Sequence, residues 1–274
     1  MGPHAKEEVL TPKIYGPVLE LAEGTLLAAS YGNFVGDTVP MEGFLPTKGE
    51  KWFKYRTYLL ASRDRGESWS YLSTVAYDGE SGQESFCEPW LVELGRGELL
   101  AVMRTGRFAP MYQTRSLDGG KTWGKPESLH TLGLFPQLEL LSNGVLVCSF
   151  GWRPTKNQVV GAGAPAELAL QNYFRRYRDE VGIADPSAAA GDYVMFSVDK
   201  GRTWTKPRQI ARPLTRGYTA LAPLGPDSCL VVSRRVVIPG ESEASVARKW
   251  GEEWARWSEK SEVALEARRI TVGR

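Results

Sequence analysis

Glu88, Arg104, Arg153 and Tyr218 carry the side chains with which this 274-residue chain could act on a substrate. Each sits at the edge of a short apolar run. Glu88 opens "EPWLVEL", Arg104 ends "LLAVMRTG", Arg153 ends "CSFGWR" and Tyr218 opens "YTALAPLG". A neutral phenol beside a glutamate can be deprotonated as it attacks an electrophile. The planar fork of arginine suits a bidentate grip on a carboxylate. Two blander roles compete: Tyr218 as a core tyrosine with a bonded hydroxyl, and Glu88 as an ion-pair partner of Arg104. Metal chemistry is poorly supplied. The two histidines, His4 and His130, and the three distant cysteines, Cys87, Cys148 and Cys229, make neither a zinc set nor a disulfide framework. No metal and no cofactor are expected.

Such residues can act together only if the chain brings them to one end of a scaffold, and internal repeats supply one. Four segments read as strand, tight turn, strand: "GPVLELAEGTLLAASYG" (16–32), "EPWLVELGRGELLAVMRTG" (88–106), "FPQLELLSNGVLVCSFGWR" (135–153) and "YTALAPLGPDSCLVVSRR" (218–235). After the first three, a further strand follows at "RTYLLAS" (56–62), "MYQTRS" (111–116) and "DYVMFS" (192–197). Each of these runs into a polar box: "SRDRGESW" (62–69), "SLDGGKTW" (116–123) and "SVDKGRTW" (197–204). Another extended segment comes next, such as "SYLSTVAY" (70–77). Four-stranded antiparallel units at this spacing predict an all-β fold, a β-propeller.

The boxes read as turns between third and fourth strands. Their aspartates, Asp64, Asp118 and Asp199, can accept backbone N–H groups. Trp69, Trp123 and Trp204 can pack between blades and bury a large apolar area. Calcium binding is not expected, because the ligand density of a calcium loop is absent.

Strand alternation assigns the two faces. The boxes and hairpin turns fall on one. Tyr15, Glu88, Phe135 and Tyr218, at first-strand starts, fall on the other, with Tyr31, Arg104, Arg153 and Arg234 at second-strand ends. Long loops at 32–54, 154–191 and 236–264 emerge on that second face, where binding sites are usually built. Within them "APAELALQNYFRRYRDEV" and "SEASVARKWGEEWARWSEKSEV" have helical apolar spacing. Asp37, in "GNFVGDTVP", is a further carboxylate on a loop of this face.

The three boxes and the order of these residues resemble the sialidase (neuraminidase) superfamily, six-bladed propellers with BNR repeats, or Asp boxes. The resemblance covers roughly residues 14–273, with about four blades present. It implies that Tyr218 is a nucleophile with Glu88 as its base, and that Arg104 and Arg153 bind the substrate carboxylate. Tyr31 and Arg234 would line the same site. The implied partner is an acidic sugar or glycan and the implied reaction exo-sialidase hydrolysis. A non-catalytic carbohydrate-binding or scaffold propeller of the same superfamily is the alternative. The family's third arginine and its acid/base aspartate have no match before Tyr15, so a single propeller domain over 1–274, incomplete at its N-terminus, is expected.

Composition removes other classes. With 34 Lys+Arg against 32 Asp+Glu the formal net charge is +2, which gives no basis for nucleic-acid binding. No run of about 18 apolar residues predicts a membrane span. "MGPHAKEEVLTPK" lacks the apolar segment of a signal peptide, which leaves a cytoplasmic location as the default expectation. Oligomeric state is not legible.

Overall fold

The structure is a computed structural model that describes residues 12–41, 52–106, 109–152, 176–183, 191–211, 215–242, 245 and 262–273. It divides into two compact units. Within the described residues of the first unit lie two up-and-down antiparallel sheets. One is β1 (Lys13–Glu20), β2 (Leu26–Gly32), β3 (Arg56–Ser62) and β4 (Ser70–Ala76). The other is β5 (Cys87–Gly95), β6 (Glu98–Arg104), β7 (Pro110–Ser116) and β8 (Glu127–Leu132). The second unit holds a sheet of β9 (Leu134–Leu140), β10 (Leu146–Trp152), β11 (Gly191–Ser197) and β12 (Arg208–Ala211). Its other sheet has three strands, β13 (Thr215–Gly225), β14 (Ser228–Val237) and β15 (Glu262–Thr271). Four strands were expected in every unit of the repeat. The fourth sheet has three among the described residues, where β14 runs on to Val237 and pairs along its length with β15.

The second strands of the first three sheets, β2, β6 and β10, are buried on both faces, so they read as continuous apolar runs rather than alternating ones. Thus "LVCSFGW" of β10 is buried throughout. In the first unit Leu27, Leu59, Leu99, Met103 and Phe86 form one core between the two sheets. In the second unit Val147, Val194, Cys229 and Val231 do the same.

The three boxes fold alike. In the second, the Ser116 hydroxyl donates to Asp118 at 2.8 Å and accepts the Gly120 N–H at 2.8 Å. Asp118 also accepts the N–H groups of Lys121 and Thr122 and the Thr122 hydroxyl. Asp64 and Asp199 repeat the pattern with Ser68 and Thr203. The donated hydroxyl and amide hydrogens hold all three carboxyls down to about 2, well below the usual carboxylate value. The box is therefore a turn whose polar groups satisfy one another.

The tryptophans differ from the expectation of burial. Trp123 is half-buried. It packs on the first unit's core, and its indole N–H is 3.2 Å from both the Ser73 hydroxyl and the Gly120 carbonyl. Trp69 is 36% exposed, and its indole N–H donates within its own turn, to the Gly66 carbonyl. Trp123→Ala is therefore expected to cost about 2–3 kcal/mol, below the range for a fully enclosed aromatic. Trp69→Ala should cost clearly less. Chemical denaturation of both variants checks the order.

Each first strand opens with a bulge. Counting back two residues from the first regular ladder pairs, Val18–Ala28, Trp90–Val102, Gln137–Ser149 and Thr219–Ser233, gives Gly16, Glu88, Phe135 and Gly217. All four have positive φ, at 84°, 44°, 51° and 72°. Glu88 and Phe135 thus share a position, as expected. Tyr15 precedes its bulge residue by one and Tyr218 follows its own by one, so these two tyrosines are not equivalent to Glu88.

Candidate functional site

Glu88 stands at the bulge of β5 in a backbone conformation that a non-glycine residue rarely adopts. Such outliers concentrate at functional sites, where surrounding structure holds them. Across the ladder Cys87 pairs with Arg104, the last residue of β6. The other end of β6 pairs Leu99 with Ser116, where the box turn begins. Within this unit the box and the Glu88–Arg104 pair therefore lie at opposite ends of the sheet, as strand alternation predicts.

Arg104 is held by two carboxylates. Its Nη1 donates to Glu88 Oε1 at 2.8 Å and its Nη2 to Glu84 Oε1 at 2.6 Å. All three side chains are largely buried, at 11% exposure for Arg104, 10% for Glu84 and 5% for Glu88. The ion pair that competed as a bland role for Glu88 is thus present, with Glu84 as a second carboxylate that sequence reasoning missed. Its segment is fixed on several sides. The Glu84 N–H donates to the Thr105 carbonyl, and the Glu84 carbonyl accepts the Tyr55 N–H. The fully buried Lys54 donates to the carbonyls of Gly79 and Gly82. The spacing of Glu84 and Glu88 in "ESFCE" is the only sequence signal for the pair.

Tyr31 borders this cluster. Burial first, then the charges of Cys87 and Glu88, raise its phenol far above the ordinary tyrosine value, while Arg104 pulls the other way. It stays protonated. Its ring meets Tyr15 and Tyr55 edge-on, at 5.7 and 5.1 Å between centroids. The neighbouring Cys87 is buried against Glu84, and burial followed by that carboxylate pushes its thiol well up, so it is no nucleophile.

Asp37 is already engaged. It forms an ion pair with Arg56 and accepts the Phe34 N–H at 2.9 Å, and the Arg56 guanidinium lies 4.2 Å from the Tyr77 ring centroid. These partners satisfy its buried carboxylate.

In the second unit Tyr218 is half-buried, with its ring 5.1 Å from that of Phe135. Arg234 is exposed, and its place in the ladder needs correction. Two residues beyond Ser233, the position that matches Arg104, stands Arg235. Arg234 matches Met103 instead. β14 continues past Arg234, and adjacent side chains on a strand point to opposite faces. Arg153 lies outside the described residues, as does most of the two helical segments; residues 176–181 are helical where described. Among the described residues no group of three His, Cys, Asp or Glu could hold a metal ion. Among them too, no helix is long and apolar enough to cross a membrane.

Residues 8–136 match the sequence model of the BNR repeat-like domain. No curated protein matches the chain. Among solved structures, a protein of unknown function from Dyadobacter fermentans is similar over 98% of this chain and 58% of its own, with 18% identity and a TM-score of 0.61. An α-L-arabinanase from Penicillium chrysogenum, complexed with arabinobiose, is similar over 98% of this chain and 64% of its own, with 15% identity and a TM-score of 0.54. A Hadza microbial sialidase is similar over 83% and 36%, with 14% identity and a TM-score of 0.50. The chain spans less than two thirds of the length of each of these three proteins. Residues 8–136 thus match the BNR repeat-like domain, and the chain, with its bulged and boxed antiparallel sheets, has the β-propeller fold of these sialidase-like structures.

Proposed function

We propose that the protein is a sialidase-like glycoside hydrolase acting on sialic acid or a related acidic sugar. The observation that carries this reading is the buried Glu84–Arg104–Glu88 cluster beside Tyr31, built on a strained bulge at the end of the sheet opposite the boxes. The family resemblance supplies the remaining roles. Glu88 takes the proton of Tyr218 as the phenolate oxygen attacks the anomeric carbon and the leaving group departs; water then releases the sugar. Tyrosine nucleophiles are the known exception among glycosidases. The resemblance assigns Arg104 and Arg153 to the acidic sugar, with Tyr31 and Arg234 in supporting places.

A second reading has its own support. Arg104 already satisfies two carboxylates, which suits a site that recognises a sugar without turning it over. Hydrolysis of an aryl sialoside separates the two. Glu88→Gln is expected to lower kcat by about 10²–10⁴-fold, as loss of a positioned base does. Tyr218→Phe is expected to abolish turnover with little change in binding. Wild-type turnover that survives both substitutions overturns the assignment. Saturable binding without turnover by the wild type establishes the binding reading.

A further inference from the structure

We propose that Lys13, not Arg104, is the cation in the first unit that meets the anionic group of the sugar; the inference rests on the acidic-sugar reading above. Arg104 has one guanidinium and two buried carboxylates on it. Its Nη1 and Nη2 each donate to one of them, so a third carboxylate at the same guanidinium would compete with two already in place. Lys13 is in the opposite condition. Its ammonium has three N–H donors, and one hydrogen bond uses them, to Tyr55 Oη at 2.9 Å. No carboxylate pairs with it among the described residues.

Its place is built rather than incidental. Lys13 lies directly across the β1–β2 ladder from Tyr31, and the Ser30 hydroxyl donates to its carbonyl at 2.8 Å. The ammonium stands 4.5 Å from the Tyr55 ring centroid and 5.1 Å from that of Tyr31. Two aromatic faces hold the cation in position while leaving N–H donors for a ligand. Tyr55 is the shared wall: Lys13 donates to its hydroxyl, and the Tyr55 N–H donates to the Glu84 carbonyl at 2.8 Å. A sugar carboxylate at Lys13 would take a charge-assisted hydrogen bond with its ring near the two glutamates. Arg104 then serves as the residue that orients Glu84 and Glu88.

The test is affinity for N-acetylneuraminic acid, and separately for galacturonic acid, measured by NMR titration at low and high salt. Lys13→Met is expected to weaken binding about ten- to hundredfold, the loss of one charged hydrogen bond, and to flatten its salt dependence. Lys13→Arg is expected to stay within a few-fold of the wild type. Lys13 is exposed, so both variants should melt with the wild type; Lys13→Gln replaces Lys13→Met if the latter does not. Unchanged affinity and salt dependence on removal of the Lys13 charge overturn this inference alone. Failure of the wild type to bind either acid saturably overturns the acidic-sugar reading, and the inference with it.

Discussion

Arg104→Met is expected to destabilise the protein by about 3–5 kcal/mol at neutral pH, because it strands two buried carboxylates at once. Methionine roughly fills the aliphatic volume of arginine, so a packing defect is the smaller part of the loss. The larger part is the missing cation between Glu84 and Glu88, whose side chains are 10% and 5% exposed. A control separates the two causes. Replacing both glutamates by glutamine in the Arg104→Met background removes the stranded charges and is expected to restore most of the stability. Urea denaturation of the three proteins reads the difference. Equal destabilisation in the single and triple variants would show that Arg104 matters through packing. Weakened sugar binding by Arg104→Ala, taken alone, therefore cannot establish direct contact with substrate, since the same change disorganises Glu88.

The sequence carried the strands well, for a physical reason. Second strands buried on both faces are apolar throughout, and third strands end at a box whose Ser-x-Asp-x-Gly pattern closes its own hydrogen bonds. "RTYLLAS" is β3 residue for residue. The relation of Glu88 to Arg104 was legible because both flank one hairpin. What failed was register. A single-residue slip exchanges the two faces of a strand, and the bulges at Gly16, Glu88, Phe135 and Gly217 introduce such slips where the candidate residues lie. Hence Tyr218 is offset from Glu88, and Arg235 rather than Arg234 stands in the place of Arg104. Glu84 was illegible for another reason. It belongs to no strand, and it reaches Arg104 only because Lys54, Thr105 and Tyr55 fold its segment back. Lys13 was missed because its partners come from the neighbouring strand and from a loop, which no local pattern records.

Gly151→Ala is expected to cost about 3 kcal/mol or more, the upper end for overpacking, because nothing nearby can yield. A Cβ at Gly151 would lie 2.2 Å from the main-chain atoms of Gly217. Those atoms form the bulge of β13, so relief would require moving one strand off another rather than turning a side chain. Gly217 itself has φ +72°, which a larger residue would resist. Gly79→Ala provides the contrast: its Cβ would meet the Val39 methyls at 3.7 Å, an ordinary contact, and little change is expected. Thermal melting of the two variants decides the matter. Equal melting points would mean that β10 and β13 can separate freely. The position has a wider meaning in the repeat. Counted along the ladders, Gly151 of β10 corresponds to Arg104 of β6. In the second unit that place is emptied of side chain so that a neighbouring strand can approach. In the first it is filled by the guanidinium that holds Glu84 and Glu88. One repeat position thus serves close packing in one unit and the candidate site in the other, which is why repetition alone located the residue and did not reveal its role.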